Sequence, residues 1–238
     1  MRLKKYIMLL MVVFAINVSG QVTTVTFQPG GPGIDAMVTS TATTTNYSAS
    51  TTFQASNVSG TKSRSLLNFD LTSIPSHAII TSAELTLFGS AHSGTANASY
   101  LRKNTASWTE STVTWTNAPA TSTVGQVSLA QSSSSTQNYT LDVKSFVQEM
   151  VNIPGANYGW TLIKQDEATN GSLIFWSSDA LADEAQPKLV VSYCMPMTVQ
   201  AYMTPATGSS NADGGLNITV LNGVSPYTYL WSDGSTGK

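Results

Sequence analysis

The sequence predicts an all-β protein: an antiparallel, jelly-roll-like β-sandwich with one short helix, followed by part of a second β module. Short segments carry apolar side chains at every second position, which is the period of a half-buried strand. Clusters of Ser, Thr, Gly, Asn and Pro separate these segments and favour turns and loops. Because one stretch alone has the apolar spacing of a helix, sheets dominate the predicted fold.

The clearest alternation lies between residues 63 and 71. Leu67, Phe69 and Leu71 share one face of the predicted strand with Ser65, and their apolar side chains assign that face to the core. The opposite face carries Arg64, Leu66, Asn68 and Asp70. Similar patterns predict further strands at residues 83–88, 137–143, 159–164, 172–176 and 188–193.

One short helix interrupts the strands. Its apolar side chains recur at helical spacing and form a stripe, with Asp142 placed to cap the first turn and Pro154-Gly155 to end the helix. We expect the helix to close one end of the pair of sheets. The stripe consists of Val143, Phe146, Val147, Met150 and Val151.

The composition predicts a surface covered by hydroxyl groups. Of the 238 residues, 64 are Ser or Thr and 10% are charged, whereas charged residues make up about a quarter of an average soluble domain. This balance is typical of an exported β-protein. Cys194 is the one cysteine, so no disulfide forms within the chain.

Residues 1–20 predict a secretory signal peptide. Three basic side chains precede an apolar run of residues 7–16, and small side chains at 18–20 offer a cleavage site before Gln21. Removal of the peptide leaves eight basic and 13 acidic side chains, a formal charge of −5, which argues against nucleic acid as a partner. No run reaches the roughly 20 apolar residues of a membrane-spanning helix, so we expect no membrane span.

The mature chain divides near Cys194. Residues 21–193 form the predicted sandwich, residues 194–197 a linker, and residues 198–238 the start of a second β module with its own turns. About forty residues are too few for an independent sandwich. We therefore expect further domains beyond Lys238.

An ordered series of motifs over roughly residues 25–193 resembles the DNRLRE domain, also described as carbohydrate-binding module family 96. The resemblance implies a β-sandwich from exported polysaccharide-degrading or surface proteins, with acidic polysaccharides such as alginate as partners. The motifs are Asp35-Ala36-Met37-Val38, Arg64 to Leu71, Trp108-Thr109-Glu110, Val113 to Pro119, Phe175 to Ser178, and Pro187 to Tyr193.

The tail resembles the start of a SprB-type repeat, found in long surface adhesins linked to gliding motility. That resemblance implies attachment to a larger cell-surface protein. Its residues are Asp213-Gly214-Gly215, Gly223, Pro226-Tyr227-Thr228-Tyr229, Trp231 and Asp233-Gly234.

Catalytic residues do not stand out. His77 and His92 lie in loop-like sequence without the spacing of metal ligands, and Asp70 and Glu110 are better explained as anchors of loops and strand ends. The sequence therefore predicts a chain without enzymatic activity and without a cofactor.

A structural calcium ion is a separate expectation. Its oxygen ligands would come from loop carboxylates, although no spaced calcium-loop motif is present and an ordinary acidic surface is the alternative. The candidate ligands are Asp35, Asp179, Asp183 and Glu184.

Trp108 and Trp115 have two interpretations. They can form a platform for sugar rings, because an indole face covers the apolar side of a pyranose, or they can pack under the loop that they flank. We favour packing, since the family motif that these residues resemble pairs both tryptophans with a tight turn ending at Pro119. For Trp160 and Trp176 we expect packing in the core or at a sheet edge.

The predicted ligand-binding residues are Arg64, Asn68 and Arg102. The first two face away from the core. Tyr100-Leu101-Arg102 resembles the Tyr-Arg that the family carries on a neighbouring strand, and this resemblance implies that Arg102 can face the same surface. Arginine binds carboxylates through two hydrogen bonds, which suits an acidic glycan. In the alternative, Arg64 pairs with Asp70 or Glu84 on a solvated face.

These observations predict a secreted or cell-surface module that binds polysaccharide and contributes to adhesion as part of a larger exported protein. Acidic glycans such as alginate are the expected ligands. Two alternatives remain: an adhesin segment without affinity for sugars, and an accessory part of a polysaccharide lyase or hydrolase.

Overall fold

The structure, a computed structural model, describes residues 20–28, 33–153, 155–208, 211, 213–229 and 236. The predicted signal peptide, apart from its last residue, lies outside this part of the chain, as do Pro154 and the tail residues Trp231, Asp233 and Gly234. Thr23–Tyr193 forms one compact unit, and the chain from Cys194 onward belongs to another.

The described part of the chain contains fourteen strands and one α-helix, which confirms the all-β prediction with a short helix. The helix, α1, spans Lys144–Asn152, and a 3₁₀ turn spans Asp183–Ala185. The strands are β1 (Thr23–Phe27), β2 (Ile34–Thr39), β3 (Thr52–Val58), β4 (Thr61–Asn68), β5 (Ile79–Leu87), β6 (Gly89–Ser93), β7 (Ser99–Asn104), β8 (Thr121–Leu129), β9 (Tyr139–Asp142), β10 (Trp160–Lys164), β11 (Gly171–Trp176), β12 (Lys188–Cys194), β13 (Thr198–Thr204) and β14 (Gly215–Leu221).

The larger unit is a sandwich of two sheets. The small sheet has the order β1-β12-β5-β9, and the large sheet has the order β6-β11-β3-β4-β10-β7-β8, with β2 paired to β4. The paired strands run antiparallel in both sheets. In the small sheet, edge strand β1 lies against β12 so that Thr23 pairs with Tyr193 and Phe27 with Leu189.

The core lies between the two sheets. Leu85 and Leu87 of the small sheet and Leu101 and Leu162 of the large sheet are completely buried. Aromatic rings in the core form two groups. Within each group, neighbouring rings pack with their centroids about 6 Å apart. The groups are Phe53 with Phe175 and Tyr139, and Trp160 with Phe69 and Phe146.

The helix presents its predicted apolar stripe to this core. Phe146, Val147, Met150 and Val151 are buried, and the ring of Phe146 packs beside Trp160 of the large sheet. The N-cap of the helix is Val143, which makes no side-chain capping hydrogen bond, so the prediction of Asp142 as the cap was wrong by one residue. Asp142 lies just before Val143, and its Oδ1 accepts a hydrogen bond from the Lys144 amide at 2.9 Å.

A second apolar cluster lies outside the sandwich core and explains one departure from the predicted alternation. Leu66 was assigned to the outer face of its strand, yet it is as buried as its neighbour Leu67. The loop 105–120 crosses this outer face and buries Leu66. The cluster consists of Ala36, Val38, Leu66 and Val113, with Trp108, Trp115 and Ala118 packed against it.

The second unit contains a β-hairpin formed by β13 and β14. The register pairs Val199 with Val220 and Ala201 with Ile218, so one face of the hairpin is apolar. In the described residues of the whole chain, no helix has both the length and the hydropathy needed to cross a membrane.

Candidate functional site

The outer face of the large sheet brings the predicted arginines together. Thr161 of β10 pairs with Leu66 of β4 on one side and with Arg102 of β7 on the other. Because residues in register share a face, Arg102 lies on the same face as Leu66 and therefore as Arg64, two residues earlier in β4. Strand and residue spacings place the two arginine Cα atoms roughly 12 Å apart.

Arg64 is held by a carboxylate and an aromatic ring. Its Nε donates to Glu167 Oε1 at 2.8 Å and its Nη2 to Glu167 Oε2 at 2.7 Å, which is a bidentate ion pair. The guanidinium carbon lies 4.8 Å from the ring centroid of Trp115. The side chain of Arg64 is 36% exposed and that of Glu167 is 16% exposed, so the pair lies at the surface.

The partners expected for Arg64 were wrong. Asp70 lies beyond the end of β4, where its Oδ1 accepts the Thr72 amide proton at 2.9 Å. Glu84 lies on β5 in the other sheet, opposite Asp142 in the register of β5 with β9. Glu167 replaces both because the loop between β10 and β11 brings it back over the outer face; its carbonyl oxygen accepts a hydrogen bond from Asn57 Nδ2 at 2.8 Å.

Arg102 is arranged in a similar way without a carboxylate. Its Nε donates to Gln126 Oε1 at 2.8 Å, and its guanidinium carbon lies 5.1 Å from the ring centroid of Tyr100. The amide partner is neutral, so the guanidinium charge of Arg102 is not compensated by an ion pair among the described residues. Arg102 is therefore the more available of the two arginines on this face.

Asn68 performs a structural task at the end of β4. Its Oδ1 accepts the Phe69 amide proton at 2.8 Å, and its Nδ2 contacts the carbonyl oxygen of Asn157 at 3.5 Å. These contacts direct its amide group toward the loop 155–159. Asn68 shares the outer face with the arginines by register, but the structure does not bring its amide group to them.

The loop 105–120 holds both tryptophans in the packed arrangement that we favoured. Trp108 Nε1 donates to the carbonyl oxygen of Tyr158 at 2.9 Å, and both indoles pack on the outer cluster. Asn46 fixes the loop by donating from Nδ2 to the carbonyl oxygens of Glu110 and Val113 at 2.7 and 2.8 Å. The interpretation of packing under the loop is confirmed.

Carboxylates anchor this loop to β2. Glu110 Oε1 accepts the Asp35 amide proton at 3.0 Å, which confirms the anchoring role predicted for Glu110. Asp35 Oδ2 accepts the Ser178 amide proton at 2.7 Å, and Asp35 is 3% exposed. Burial raises the pKa of Asp35 to about 6, against the opposing effect of the Ser178 hydrogen bond.

Of the other expected calcium ligands, Asp179 lies close enough to Asp35 for its negative charge to help raise the pKa of that carboxyl, whereas Asp183 and Glu184 lie in a separate 3₁₀ turn. Asp183 Oδ1 accepts a hydrogen bond from Gln186 Nε2 at 3.2 Å. Within the described ranges, no group of three or more His, Cys, Asp or Glu side chains is placed to hold a metal ion. A structural calcium ion stays a prediction.

The two histidines lie in different kinds of local structure, and the two remaining tryptophans differ in burial. His77 lies in a turn with a φ of 65°, as its loop-like sequence indicated, whereas His92 lies within strand β6. Trp160 is buried in the core, and Trp176 is 36% exposed at the end of β11. The alternation of β11 could have indicated this exposure, because Phe175 occupies the core position beside it.

Three residues of the outer face were missed by the sequence interpretation. Glu167 and Gln126 lie far along the chain from the arginines they bind, and Tyr100 was noted only as a neighbour in the sequence. Tyr100 lies two residues before Arg102 on the same face of β7, so the period of that strand could have indicated it. Strand pairing brings Gln126 of β8 to Arg102, and the loop between β10 and β11 brings Glu167 to Arg64.

Comparison with known proteins agrees with this architecture. Residues 24–193, which span all but the end residues of the sandwich, match the family model described as carbohydrate-binding module family 96. No curated protein matches the chain. The chain belongs to carbohydrate-binding module family 96.

Proposed function

We propose that the protein binds an acidic polysaccharide through the outer face of its large sheet and has no catalytic role of its own. The supporting observation is the pair of surface guanidinium groups, each seated over an aromatic ring on this face, in a chain of a carbohydrate-binding family. A planar guanidinium matches the two oxygens of a uronate carboxylate. The aromatic rings beneath hold both guanidiniums in defined orientations.

The two arginines contribute unequally. Arg102 has a neutral partner at Nε, so its terminal nitrogens can donate to an incoming carboxylate. Arg64 already binds Glu167 through two hydrogen bonds, and a uronate must either use its remaining N–H groups or displace that glutamate. We therefore assign the stronger contact to Arg102.

The Cα atoms of the two arginines lie roughly 12 Å apart, a span that suits a polymer of several sugar rings. The net charge of the chain without its first twenty residues is −5, so attraction of a polyanion depends on this local face and weakens at high salt. We also propose export, on the basis of the N-terminal sequence, and attachment to further surface domains, on the basis of the SprB-like tail.

The Arg64–Glu167 pair also favours a second candidate function. An arginine whose donors are taken by a neighbouring glutamate stabilises a surface without binding anything else, as a structural adhesin segment requires.

Binding measurements on a glycan array, followed by calorimetry, separate the two functions. We expect the chain to bind polyuronates, and the double variant Arg64→Ala/Arg102→Ala to lose binding at least tenfold. The double variant Lys144→Ala/Lys188→Ala is the matched control, because it removes two positive charges on the helix and in the small sheet. Binding that is equal in all three proteins contradicts the assignment to this face, and an array without signal supports the structural role.

A further inference from the structure

Trp176 differs from the other described tryptophans in having an indole that is open to solvent. Trp160 is buried between the sheets, and Trp108 and Trp115 pack on the outer cluster. Trp176 is 36% exposed at the end of β11, and the alternation of that strand points it away from the core, because Phe175 packs against Phe53 and Tyr139 inside.

A concave depression of about 240 Å³ lies beside this indole. Leu181, which is 99% exposed, stands on its far side, and Ala180, Ala182 and Thr51 complete the lining. The volume is below the roughly 300 Å³ at which pockets for drug-sized ligands begin, so it suits one ring in contact with the indole. None of the described lining residues carries a charge.

Hydrogen bonds fix the walls of the depression. The Trp176 amide donates to the carbonyl oxygen of Phe88 at 3.0 Å, and the Ser177 amide to that of Thr51 at 3.1 Å. Buried Gln186 donates from Nε2 to the carbonyl oxygen of Ala180 at 2.8 Å and so holds the segment that carries Leu181. The site is thus formed before a ligand arrives, which lowers the entropic cost of binding.

We propose that Trp176 and Leu181 form a second polysaccharide subsite, which takes the C–H face of an uncharged or weakly polar part of a sugar ring. This inference rests on the proposed polysaccharide binding but assigns it a separate set of residues, at the end of β11 in the same large sheet, and a different chemistry. A pyranose presents axial C–H groups on one face and hydroxyl groups at its edge. The indole covers the C–H face, and the Thr51 hydroxyl at the rim can hydrogen-bond an edge hydroxyl.

The apolar lining also distinguishes this subsite from the arginine face. Stacking is insensitive to ionic strength, whereas the pairing of guanidinium with carboxylate weakens as salt rises. Binding through the Trp176 depression therefore persists at high salt and extends to neutral polysaccharides.

The test uses the full chain labelled with 5-fluorotryptophan and observed by ¹⁹F NMR. Trp176→Phe assigns the Trp176 signal, and the titrants are sodium alginate, polygalacturonate, laminarin and xylan at low and high salt. We expect at least one polysaccharide to shift the Trp176 signal, Trp176→Ala to weaken its binding about tenfold, and Leu181→Ser to weaken it less. Val124→Ala, at another exposed apolar position, serves as the control and should leave the affinity unchanged.

The outcomes distinguish this inference from the proposed function. If a polysaccharide binds, the Trp176 signal does not move, and the double arginine variant alone loses affinity, then the subsite is overturned and the arginine face stands. If Trp176→Ala loses affinity and the double arginine variant does not, the subsite stands alone. A wild-type chain that binds none of the four polymers overturns both.

Discussion

At the scale of single residues, Glu167 imitates the ligand that we propose for Arg64. Its two carboxylate oxygens occupy the bidentate position that a uronate would take, and its loop is held there by the Asn57 contact. An incoming polyuronate must compete with this internal carboxylate. Glu167 thereby sets a threshold for the charge density of the ligand.

We predict that Glu167→Gln strengthens the binding of polygalacturonate several-fold at low salt, because the neutral amide releases Arg64 and removes a negative charge from the face. Calorimetry at two salt concentrations measures the effect. Glu84→Gln changes the charge equally on the exposed side of the small sheet and should leave the affinity nearly unchanged. Unaltered or weaker binding in Glu167→Gln would show that Arg64 does not contact the polymer.

Asp35 predicts a pH dependence of stability. Its folded pKa of about 6 lies above the roughly 3.9 of an unfolded aspartate, so the folded state holds the proton more tightly. The resulting stabilisation is complete below about pH 4 and is lost as the pH rises through 6. We therefore expect Asp35→Asn to raise the free energy of unfolding at pH 8 by up to about 3 kcal/mol and to change it little at pH 4.

Urea denaturation at pH 4 and pH 8 measures this difference. Asp70→Asn is the control, because hydrogen bonds from Thr72 lower the pKa of this exposed carboxylate and its replacement should not stabilise the protein at pH 8. Destabilisation of Asp35→Asn at pH 8 would contradict the prediction. If a calcium chelator abolished that destabilisation, the predicted structural calcium ion would be the counter-charge of Asp35.

At the scale of elements, the loop 105–120 acts as a third layer over part of the large sheet. It buries Leu66 from outside and supplies the indole of Trp115 beneath Arg64. The loop has few backbone partners of its own in the sheets, so side chains such as Asn46 fix it. The position of Arg64 therefore depends on a loop that is more than forty residues away from it in the chain.

We predict that Asn46→Ala lowers the free energy of unfolding by about 1–3 kcal/mol, because it leaves the part-buried carbonyl oxygens of Glu110 and Val113 without their donor. Tryptophan fluorescence should shift to longer wavelength as the indoles of Trp108 and Trp115 gain solvent. Asn138→Ala removes an exposed hydrogen bond to Gly89 and should have a smaller effect. Equal effects of the two substitutions would show that the two hydrogen bonds of Asn46 do not fix the loop 105–120.

The sequence predicted those elements whose own residues carry a recognisable apolar pattern. Strands β5, β10, β11 and β12 and the helix carry enough apolar side chains to be recognised locally. Strand β8 was missed because its residues Thr121–Leu129 are mostly polar and partly exposed, and pairing with β7 rather than its own pattern makes it a strand.

The same distinction applies to the site. The alternation of β4 was sufficient to place Arg64 on the outer face, and the register with β10 and β7 brought Arg102 to it. Glu167 is separated from Arg64 by 103 positions in the chain and reaches it from a loop, so no local pattern contains that contact. The alternation of β11 places Trp176 on the outer face, but a sequence does not show whether another segment of the chain covers that end of the strand. Packing was therefore the expectation for Trp176.

At the scale of the whole molecule, the sandwich contains a complete core within Thr23–Tyr193. The strands of the two sandwich sheets and the aromatic groups of the core lie within this range, except for Cys194 at the end of β12. We predict that a chain ending after Tyr193 folds and unfolds in one cooperative transition.

Urea denaturation followed by far-UV and near-UV circular dichroism tests this prediction. The midpoint should match that of the large unit in the full chain, and the two signals should coincide. A chain ending after Val151, which lacks three strands of the sandwich, is the control and should not fold. Loss of the cooperative transition in the longer chain would mean that residues beyond Tyr193 contribute to the core.

The pairing of Thr23 with Tyr193 has a mechanical consequence. The first and last strands of the sandwich are antiparallel neighbours, so the points where the chain enters and leaves lie side by side at one end. A pulling force applied between these two points loads the β1–β12 hydrogen bonds one after another, as in a zipper, instead of all at once in shear. Since β1 is a largely exposed edge strand, it peels away at low tension, and the five residues it releases extend by up to about 17 Å. Under end-to-end tension the module would thus yield first at this seam, while the face that carries the arginines stays folded.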